Sequence, residues 1–371
     1  MGDFVRPDWS GRLSQAWQRA DDPPRAAFVV SSPTNINYLC GFDGSLGLLV
    51  LTASTHILIL DGRYATAARG LLAMGLLGPV EIHHADGRID LALANVLRGL
   101  PTGEISFEAD VVTVAGLDAW QRSTPDRVWS PTSGLVESLR IVKDPIELRT
   151  IHRACARLSD VARGLRDIVK SGVTEREVAA SIDAAIMRAG FSRPAFQTIV
   201  ASGPNSAHPH ARPTDRRLSS GDLVVLDFGG VLDGYCSDLT RMAAVGQVQA
   251  DARALVDAVR AAQDAALAAV RAGALASDVD KAARQVLTSR GLGEAFLHAT
   301  GHGLGLDLHE APRIGRADAD RVLRLETGMV CTIEPGAYVD GLGGARLEDD
   351  VVVTADGCEV LTDAPRDLLT V

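Results

Sequence analysis

The sequence predicts two domains of different architecture, an α/β domain over residues 1–135 and an α+β domain with an internal repeat over residues 136–371. Three observations carry this prediction. The chain has 371 residues, which exceeds the length of one average domain. Strand-like and helix-like segments alternate up to the turn-rich segment 130–134, and the pattern changes after it. Two stretches of the second part repeat each other in order and spacing.

The first part has the alternating pattern of an α/β domain. Runs of apolar and β-branched residues bounded by turn residues predict strands at 26–30, 46–52, 55–60 and 104–107. Apolar residues at helical spacing predict two helices, at 64–72 and 89–97.

The second part begins with helices. Pro145 suits the first turn of a helix, and apolar residues recur after it at helical spacing as far as Leu165. Thr174 and Glu177 form a capping-box pattern at the start of a second helix. Alanine-rich text predicts a further helix over 251–270, and another follows around 279–287, with strands and glycine turns in between.

Two pairs of segments indicate the internal repeat. Segments 172–190 and 273–291 are each bracketed by glycines at the same separation and each contain a predicted helix. Segments 221–229 and 328–336 each have a glycine six residues before a carboxylate and another glycine two residues after it. Because both matches occur in the same order, we expect a duplicated α+β half folded about a central site.

Composition excludes several classes of protein. The net charge of −10 argues against a nucleic-acid partner and against an anionic membrane surface. No apolar stretch approaches the ~18 residues that a membrane span needs. The five cysteines are widely spaced without a C-x-x-C pair, and no signal-peptide pattern is visible. We therefore expect a cytoplasmic protein without disulfides.

Four carboxylates and one histidine form the candidate site: Asp227, Asp238, His302, Glu334 and Glu348. If the two aspartates belong to one hairpin, they lie opposite each other or one step off, roughly 5–8 Å apart between Cβ atoms. The two glutamates repeat that arrangement across a glycine-rich turn. His302 lies between glycines, which allow the backbone to approach an ion closely.

Such a cluster indicates a metal site. An acidic residue at the end of a strand is most often a turn residue, but five such positions with matched spacings favour cation binding. Buried carboxylates need a partner, and two divalent ions would balance four of them. Two ions can together activate water and polarise a carbonyl. Oxygen-rich ligation with one imidazole favours a hard ion such as Mn²⁺. A kinase metal motif at Asp227 is excluded, because no phosphate-binding loop with its lysine precedes it. A dinucleotide fingerprint is excluded, because the glycines around His302 do not have the G-x-G-x-x-G spacing and open no predicted helix.

The motifs resemble those of the pita-bread metallopeptidases, specifically the Xaa-Pro aminopeptidases and prolidases. The segments that carry the resemblance are SGPNSAHPHARP, VVLDFGG with YCSDLTR, GHGLGLDLHE, TIEPG and GARLEDD. NINYLCGF and LDGRY are similar to the creatinase-type N-terminal domain of the same group. The resemblance covers nearly the whole chain and implies a creatinase-type domain followed by a pita-bread catalytic domain.

The resemblance implies a dinuclear centre. Asp227 would chelate one divalent ion, His302 and Glu334 would hold the other, and Asp238 and Glu348 would bridge both. Mn²⁺ is the favoured metal, with Co²⁺ and Zn²⁺ as alternatives.

The resemblance also implies roles for residues around the ions. His210 matches the histidine that stabilises the tetrahedral intermediate, and His309 matches one that contacts the substrate carbonyl region. Arg346 matches an arginine near the substrate, and Glu334 is the expected proton shuttle. His208 is the rival of His210, because it lies two residues away.

The implied activity is hydrolysis of the Xaa-Pro bond at the N-terminus of peptides, by a homodimer. An aminopeptidase acting on longer chains is expected, and a prolidase restricted to dipeptides is the alternative. A metal-free creatinase-type hydrolase and a non-catalytic binding module on the same fold also remain open, although all five ligand positions are retained. The sequence leaves the role of His298 open between lining the substrate pocket and supporting the ligands.

Overall fold

The computed structural model describes residues 6–317 and 322–371, and the chain divides after Arg140 into two compact units. The domain boundary predicted after residue 135 stays a prediction. Among the described residues, no helix combines the length and the apolar character needed to cross a membrane.

The first unit is an α/β domain around a six-stranded sheet with strand order β4-β3-β2-β1-β5-β6. Strand β2 runs antiparallel to β1 and β3, and the other neighbours are parallel. The elements are α1 (Trp9–Ala20), β1 (Ala27–Val30), α2 (Pro33–Cys40), β2 (Leu48–Leu51), β3 (His56–Asp61), α3 (Ala65–Ala73), β4 (Glu81–Ala85), α4 (Ile89–Arg98), β5 (Glu104–Glu108), α5 (Val114–Ser123), β6 (Val128–Thr132) and α6 (Glu137–Arg140).

All four strands and both helices predicted in this unit are confirmed, with ends that shift by one or two residues. The two edge strands, β4 and β6, were not predicted. Both are half exposed and carry polar residues, such as His83 and His84 in β4, so they lack the apolar run of a buried strand. The core lies between the inner strands and α4, where Leu93 and Leu97 pack against Val29 and Val50.

The second unit contains two five-stranded sheets and a separate hairpin. Its helices are α7 (Pro145–Arg163), α8 (Leu165–Ile168), α9 (Glu175–Arg188), α10 (Ala250–Ala269) and α11 (Ala276–Ser289). Its strands are β7 (Arg193–Pro194), β8 (Ile199–Ser202), β9 (Leu223–Leu232), β10 (Tyr235–Ala244), β11 (Gly301–Gly303), β12 (Glu310–Ile314), β13 (Val330–Ile333), β14 (Gly336–Val339), β15 (Gly343–Arg346), β16 (Asp349–Val353), β17 (Cys358–Val360) and β18 (Leu369–Thr370).

Both predicted helix starts in this unit are confirmed. Asp144 and Glu147 form a capping box in front of Pro145, and Thr174 and Glu177 form another at the start of α9. Each box satisfies backbone N–H groups that have no partner within the helix.

The two halves of the second unit place their helices and strands alike. Helices α7 and α9 pack on the β9–β10 pair, through residues such as Leu158, Ile182 and Leu226. Helix α10 packs on β13 and on the β14–β15 hairpin, and α11 packs on β12, within a buried cluster that includes Val259 and Val351. Strands β9 and β10, which carry Asp227 and Asp238, are thus buried beneath helices.

Candidate active site

A cavity of about 550 Å³ lies in the second unit. All the candidate site residues line it, together with apolar side chains and one further arginine. The lining consists of Phe196, Ile199, Pro209, His210, Asp227, Asp238, His298, Ala299, Gly301, His302, Leu308, His309, Glu310, Arg313, Glu334, Arg346 and Glu348. A space of this size suits a small ligand.

Asp227 and Asp238 lie on the β9–β10 hairpin, as predicted, and occupy the offset register rather than directly opposite positions. Asp227 pairs with Thr240, and Asp238 pairs with Gly229, so the two aspartates are diagonal neighbours two positions apart. The turn at Asp233 and Gly234, both with positive φ, sets this register. Because side chains alternate along a strand, an offset of two still brings both carboxylates to the same face of the sheet.

Glu334 and Glu348 lie where one hairpin ladder changes into another. Ile333 pairs with Asp349 on one side, and Gly336 pairs with Arg346 on the other. The same register on both sides places Glu334 opposite Glu348. Glu334 lies in the short connection between β13 and β14, and Glu348 lies in the one between β15 and β16.

His302 on β11 connects these two carboxylate pairs. Its Nε2 atom lies 3.5 Å from Oε1 of Glu334 and 4.0 Å from Oδ2 of Asp238. Ligand atoms of Asp238, His302 and Glu348 all lie within 4.8 Å of one another. Nδ1 of His302 donates to the carbonyl of Gly303 at 3.0 Å, so the lone pair of Nε2 faces the carboxylates.

The glycines next to His302 are required by close packing. A Cβ atom on Gly301 would collide with the carbonyl oxygen of Thr332, and one on Gly303 would collide with that of Ala311. Only glycine lets β11 lie this close to its neighbours, and this approach carries the imidazole to the carboxylates.

The carboxylates fit divalent cations. In the part of the chain that the structure describes, Oδ1 of Asp227 and Oε1 of Glu348 are buried without a hydrogen-bond partner. Burial and repulsion from neighbouring carboxylates raise the pKa of Asp238 and of Glu348 well above the usual range. Burial also raises the pKa of Glu334 to about 7 and lowers that of His302 to about 4. Cations would remove this repulsion and occupy the unpaired oxygens.

Arg346 is the main counter-charge inside the cavity. Its Nη2 donates to Oδ2 of Asp227, and its Nη1 donates to the Tyr338 hydroxyl at 2.7 Å and to the Pro209 carbonyl at 3.1 Å. Nε donates to the Thr240 hydroxyl at 3.3 Å. The buried guanidinium thus joins an aspartate to the segment that precedes His210.

Tyr338 and His298 extend this network. The Nδ1 atom of His298 donates to the Ala299 carbonyl at 2.8 Å. The Nε2 atom of the same ring therefore accepts a hydrogen bond from the Tyr338 hydroxyl, at 2.9 Å. Burial lowers the pKa of His298 to about 4, which keeps the ring neutral. His298 therefore lines the cavity and is held by Tyr338.

The remaining histidines differ in position. The His309 ring packs on that of His302, with ring centroids 4.2 Å apart. His210 is exposed and lines the cavity, whereas His208 is exposed and does not belong to the lining. The structure thus brings His210, His309, Arg346 and the five predicted ligands to one cavity and leaves His208 outside.

Sequence reasoning missed two residues of this site, Tyr338 and Arg313. Tyr338 lies four residues after Glu334 along extended chain, so strand alternation was a signal that it shares the face of the glutamate. Arg313 lies four residues after the predicted His309, so strand alternation would also place these two side chains on one face. A bulge within the β11–β12 pairing makes that inference weaker.

The cavity brings buried carboxylates together with the imidazole of His302, and the exposed His210 lies beside them. This arrangement is that of a metal-dependent hydrolase. The family comparisons assign the class. Residues 149–355 match the model of metallopeptidase family M24, and residues 12–142 match the creatinase/prolidase N-terminal domain. The chain belongs to metallopeptidase family M24, so the predicted family and the predicted pairing of a creatinase-type domain with a pita-bread domain are confirmed.

Individual relatives support the same assignment. The Xaa-Pro dipeptidase of Pyrococcus furiosus is 40% identical over 235 residues, which cover 63% of this chain and 67% of that protein. The solved Xaa-Pro dipeptidase from Bacillus anthracis has a TM-score of 0.92 at 31% identity, covering 98% of this chain and 100% of that one. The X-Pro aminopeptidase from Thermotoga maritima has a TM-score of 0.86 at 31% identity, covering 94% and 98%.

Proposed function

We propose that this metallopeptidase hydrolyses the peptide bond that precedes proline. The observation that carries the proposal is the set of buried carboxylates around His302, two of which keep an unpaired oxygen among the described residues. Relatives that carry the names Xaa-Pro dipeptidase and X-Pro aminopeptidase support the choice of substrate. Phe196, Ile199 and Leu308 offer apolar surface in the cavity that suits a proline ring.

The donor set fits two divalent cations, for which Mn²⁺ is our first choice and Co²⁺ and Zn²⁺ are alternatives. Asp227 would hold one ion, His302 and Glu334 the other, and Asp238 and Glu348 would bridge them. When bound, the ions supply a Lewis acid for the scissile carbonyl and lower the pKa of water.

The protein's own groups complete the reaction. His210 donates a hydrogen bond to the oxygen on which charge develops, because it reaches the cavity from the rim. Glu334 takes a proton from the attacking water and delivers it to the proline nitrogen that leaves. Arg346 holds Asp227 and the Pro209 carbonyl in place, and His309 lines the substrate side next to His302.

Dipeptides are the substrates that the cavity supports best, although the sequence favoured an aminopeptidase for longer peptides. Arg313 lines the cavity, is exposed, and has no ion-pair partner within residues 6–317 and 322–371. A guanidinium there suits the free carboxylate of a proline at the C-terminus, which a dipeptide has next to the scissile bond. Activity on longer peptides stays the second candidate, because the Thermotoga maritima relative is named an X-Pro aminopeptidase.

Two measurements test this function. Activity on Xaa-Pro dipeptides should disappear after chelation and return with Mn²⁺, whereas full activity in metal-free protein would favour a creatinase-type hydrolase instead. Arg313→Ala should raise KM for a dipeptide by about 10- to 100-fold, the usual range for a hydrogen bond to a charged group. Its effect on a tripeptide should be small. Arg316→Ala is the matched control, because Arg316 is exposed nearby but does not line this cavity. Equal effects of Arg313→Ala on both substrates would contradict the dipeptidase proposal.

The cellular setting and assembly also belong to this proposal. All five cysteines are free thiols, and only Cys358 is not fully buried, which suits a reducing cytoplasm. We propose a homodimer, by analogy with the family that the sequence resembles. Light scattering on the purified protein will give its mass, and a monomer at micromolar concentration would contradict the dimer.

A further inference from the structure

The segment 202–214 is a compact loop that carries His210. It leaves the end of β8 at Ser202, includes a 3₁₀ turn at 203–207, and returns next to the start of α9 at Thr214. Its two ends meet, which is the geometry of an Ω-loop. His210 lies far along this loop from its first anchor.

One buried carboxylate joins the two ends. Glu175, the first residue of α9, has no exposed surface. Its Oε1 accepts hydrogen bonds from the backbone N–H and the hydroxyl of Ser202, both at 2.7 Å. Its Oε2 accepts from the N–H of Thr214 at 3.0 Å and from the Thr214 hydroxyl at 2.6 Å. The Asn205 amide reaches both oxygens at 3.1 Å.

The imidazole of His210 depends on this loop for its position. Within the described chain, the ring of His210 makes no hydrogen bond, in contrast to His298 and His302.

Several other contacts hold the loop. Arg216 donates to the Ser202 hydroxyl from Nη1 at 2.7 Å and to the Thr214 hydroxyl from its backbone N–H at 3.1 Å. The N–H of Arg176 donates to the Thr214 carbonyl at 3.2 Å. Arg346 binds the Pro209 carbonyl at 3.1 Å, and the Ser206 hydroxyl accepts from the N–H of Gly344 at 2.9 Å. Glu175 differs from these contacts because it binds both the backbone N–H and the hydroxyl of each end residue, Ser202 and Thr214.

We propose that Glu175 is a positioning residue whose carboxylate closes the base of the 202–214 loop and thereby places His210 over the reaction centre. This inference rests on the proposed role of His210. A displacement of about 1 Å in a catalytic group can cost about 100-fold in rate, so a loosened base should affect turnover more than substrate binding.

The charge state of Glu175 agrees with this arrangement. Burial alone would raise its pKa, but the hydrogen bonds from Thr214 and Ser202 together lower the pKa below its ordinary value. The carboxylate is therefore ionised at neutral pH and can accept every one of these bonds.

A purely local role in the helix is the competing explanation, because an acidic residue in the first turn stabilises a helix by itself. Glu177 provides the matched control. It lies in the same turn, is exposed, and accepts hydrogen bonds from Thr174 without touching the 202–214 loop. Glutamine can serve in a capping box, so Glu177→Gln should keep the helix and the activity.

Glu175→Gln is the test variant. It keeps the shape of the side chain but replaces one carboxylate oxygen by an NH₂ group, which cannot accept the hydrogen bonds that Ser202 or Thr214 donates. We expect kcat on an Xaa-Pro dipeptide to fall by about 10- to 100-fold, with KM and Mn²⁺ content close to those of the parent. In a His210→Ala background, the same substitution should change kcat by less than about twofold, because two residues that act through one step are not additive.

Several results would overturn the inference. Normal turnover by Glu175→Gln, while His210→Ala is impaired, would reject the role of Glu175 and leave the proposed function intact. Fully multiplicative losses in the double variant would assign Glu175 a general structural role. Normal turnover by His210→Ala would reject the role of His210 and this inference together. If Glu175→Gln does not fold, Asn205→Ala takes its place in the same cycle, since it removes a donor and leaves the carboxylate bound by Ser202 and Thr214.

Discussion

Arg346 binds one carboxylate oxygen of Asp227, and the other oxygen of Asp227 is buried without a hydrogen-bond partner in the described part of the chain. The arginine therefore fixes the orientation of Asp227 and leaves one oxygen for a cation. Groups that orient a metal ligand in this way commonly tune metal affinity. The same guanidinium also binds Tyr338 and the Pro209 carbonyl, so one buried charge serves the metal site and the loop of His210.

Arg346→Lys should weaken metal binding although it keeps the positive charge. An ammonium group cannot reproduce the planar fork that reaches Asp227, Tyr338 and Pro209 together. We expect Mn²⁺ affinity to fall by about 10- to 100-fold, the usual effect of losing a group that orients a ligand. Isothermal titration of metal-free protein will measure it. An unchanged Kd would mean that Asp227 is oriented without the arginine.

Metal should stabilise the fold, because four carboxylates repel one another in the metal-free site. At about 100 times Kd, binding adds about 3 kcal/mol of stability, or roughly 5–10 °C in Tm for a domain of this size. Asp238→Asn should remove most of this rise, since Asp238 is proposed to contact both ions. A variant that gains as much Tm as the parent would show that Asp238 is not a bridging ligand.

The metal-free protein should lose stability as pH rises. The folded-state pKa of Glu334 is raised from 4.5 to about 7, and those of Asp238 and Glu348 are raised as well. Through these carboxyl groups the folded state holds more protons than the unfolded state, which lowers stability as pH rises from about 4.5 to 7. The lowered pKa values of His298 and His302, about 4, act in the opposite direction, but only up to the ordinary histidine value of 6.5. The window in which stability should fall is therefore above about pH 6.5. Thermal melts in chelator should show Tm falling across this window.

Two comparisons check that the site causes this loss. Excess Mn²⁺ should remove the decline, because cations replace the protons. Asp238→Asn should make the metal-free decline shallower, since it deletes one raised carboxyl group. A Tm that rises with pH above about 6.5 in metal-free protein would contradict the assignment.

Local sequence was sufficient to predict that the proposed ligands lie together, and insufficient to predict the residues that hold them. Asp227, Asp238, Glu334 and Glu348 each lie in a strand pattern near a glycine turn, so their convergence followed from hairpin geometry alone. The sequence left open whether Asp227 and Asp238 lie directly opposite each other or offset, and the two-residue turn at Asp233 and Gly234 fixes the offset arrangement.

The tertiary contacts of the supporting residues could not be predicted, because each of these residues is also typical of its local secondary structure. Tyr338 is a normal strand residue, and Glu175 is a normal first-turn residue of a helix. What distinguishes Glu175 is that Ser202 and Thr214 both return to it, which depends on the path of the chain between β8 and β9. Nothing in the local sequence distinguishes Arg313 from other exposed arginines, and only the cavity shows that it lines the site. These roles arise from contacts distant in sequence.

The choice between His210 and His208 is the sharpest test of the candidate site. His210 lines the cavity and binds no ion in our proposal, so it acts only on charge that develops in the transition state. His210→Ala should keep its metal and its KM, while kcat falls by roughly 100- to 1000-fold, the usual effect of losing one oxyanion donor. Elemental analysis and steady-state kinetics on the same preparation will measure both.

Two further histidine variants separate the possible failures. His208→Ala is the control, because His208 is exposed outside the cavity, and it should turn over nearly as the parent does. His302→Ala should instead lose metal, because it removes the only imidazole beside Asp238 and Glu348 in the described cluster. Normal turnover by His210→Ala with a crippled His208→Ala would reverse the assignment of the two neighbours. A His210→Ala protein purified without metal would contradict the proposal that His210 acts only in the transition state.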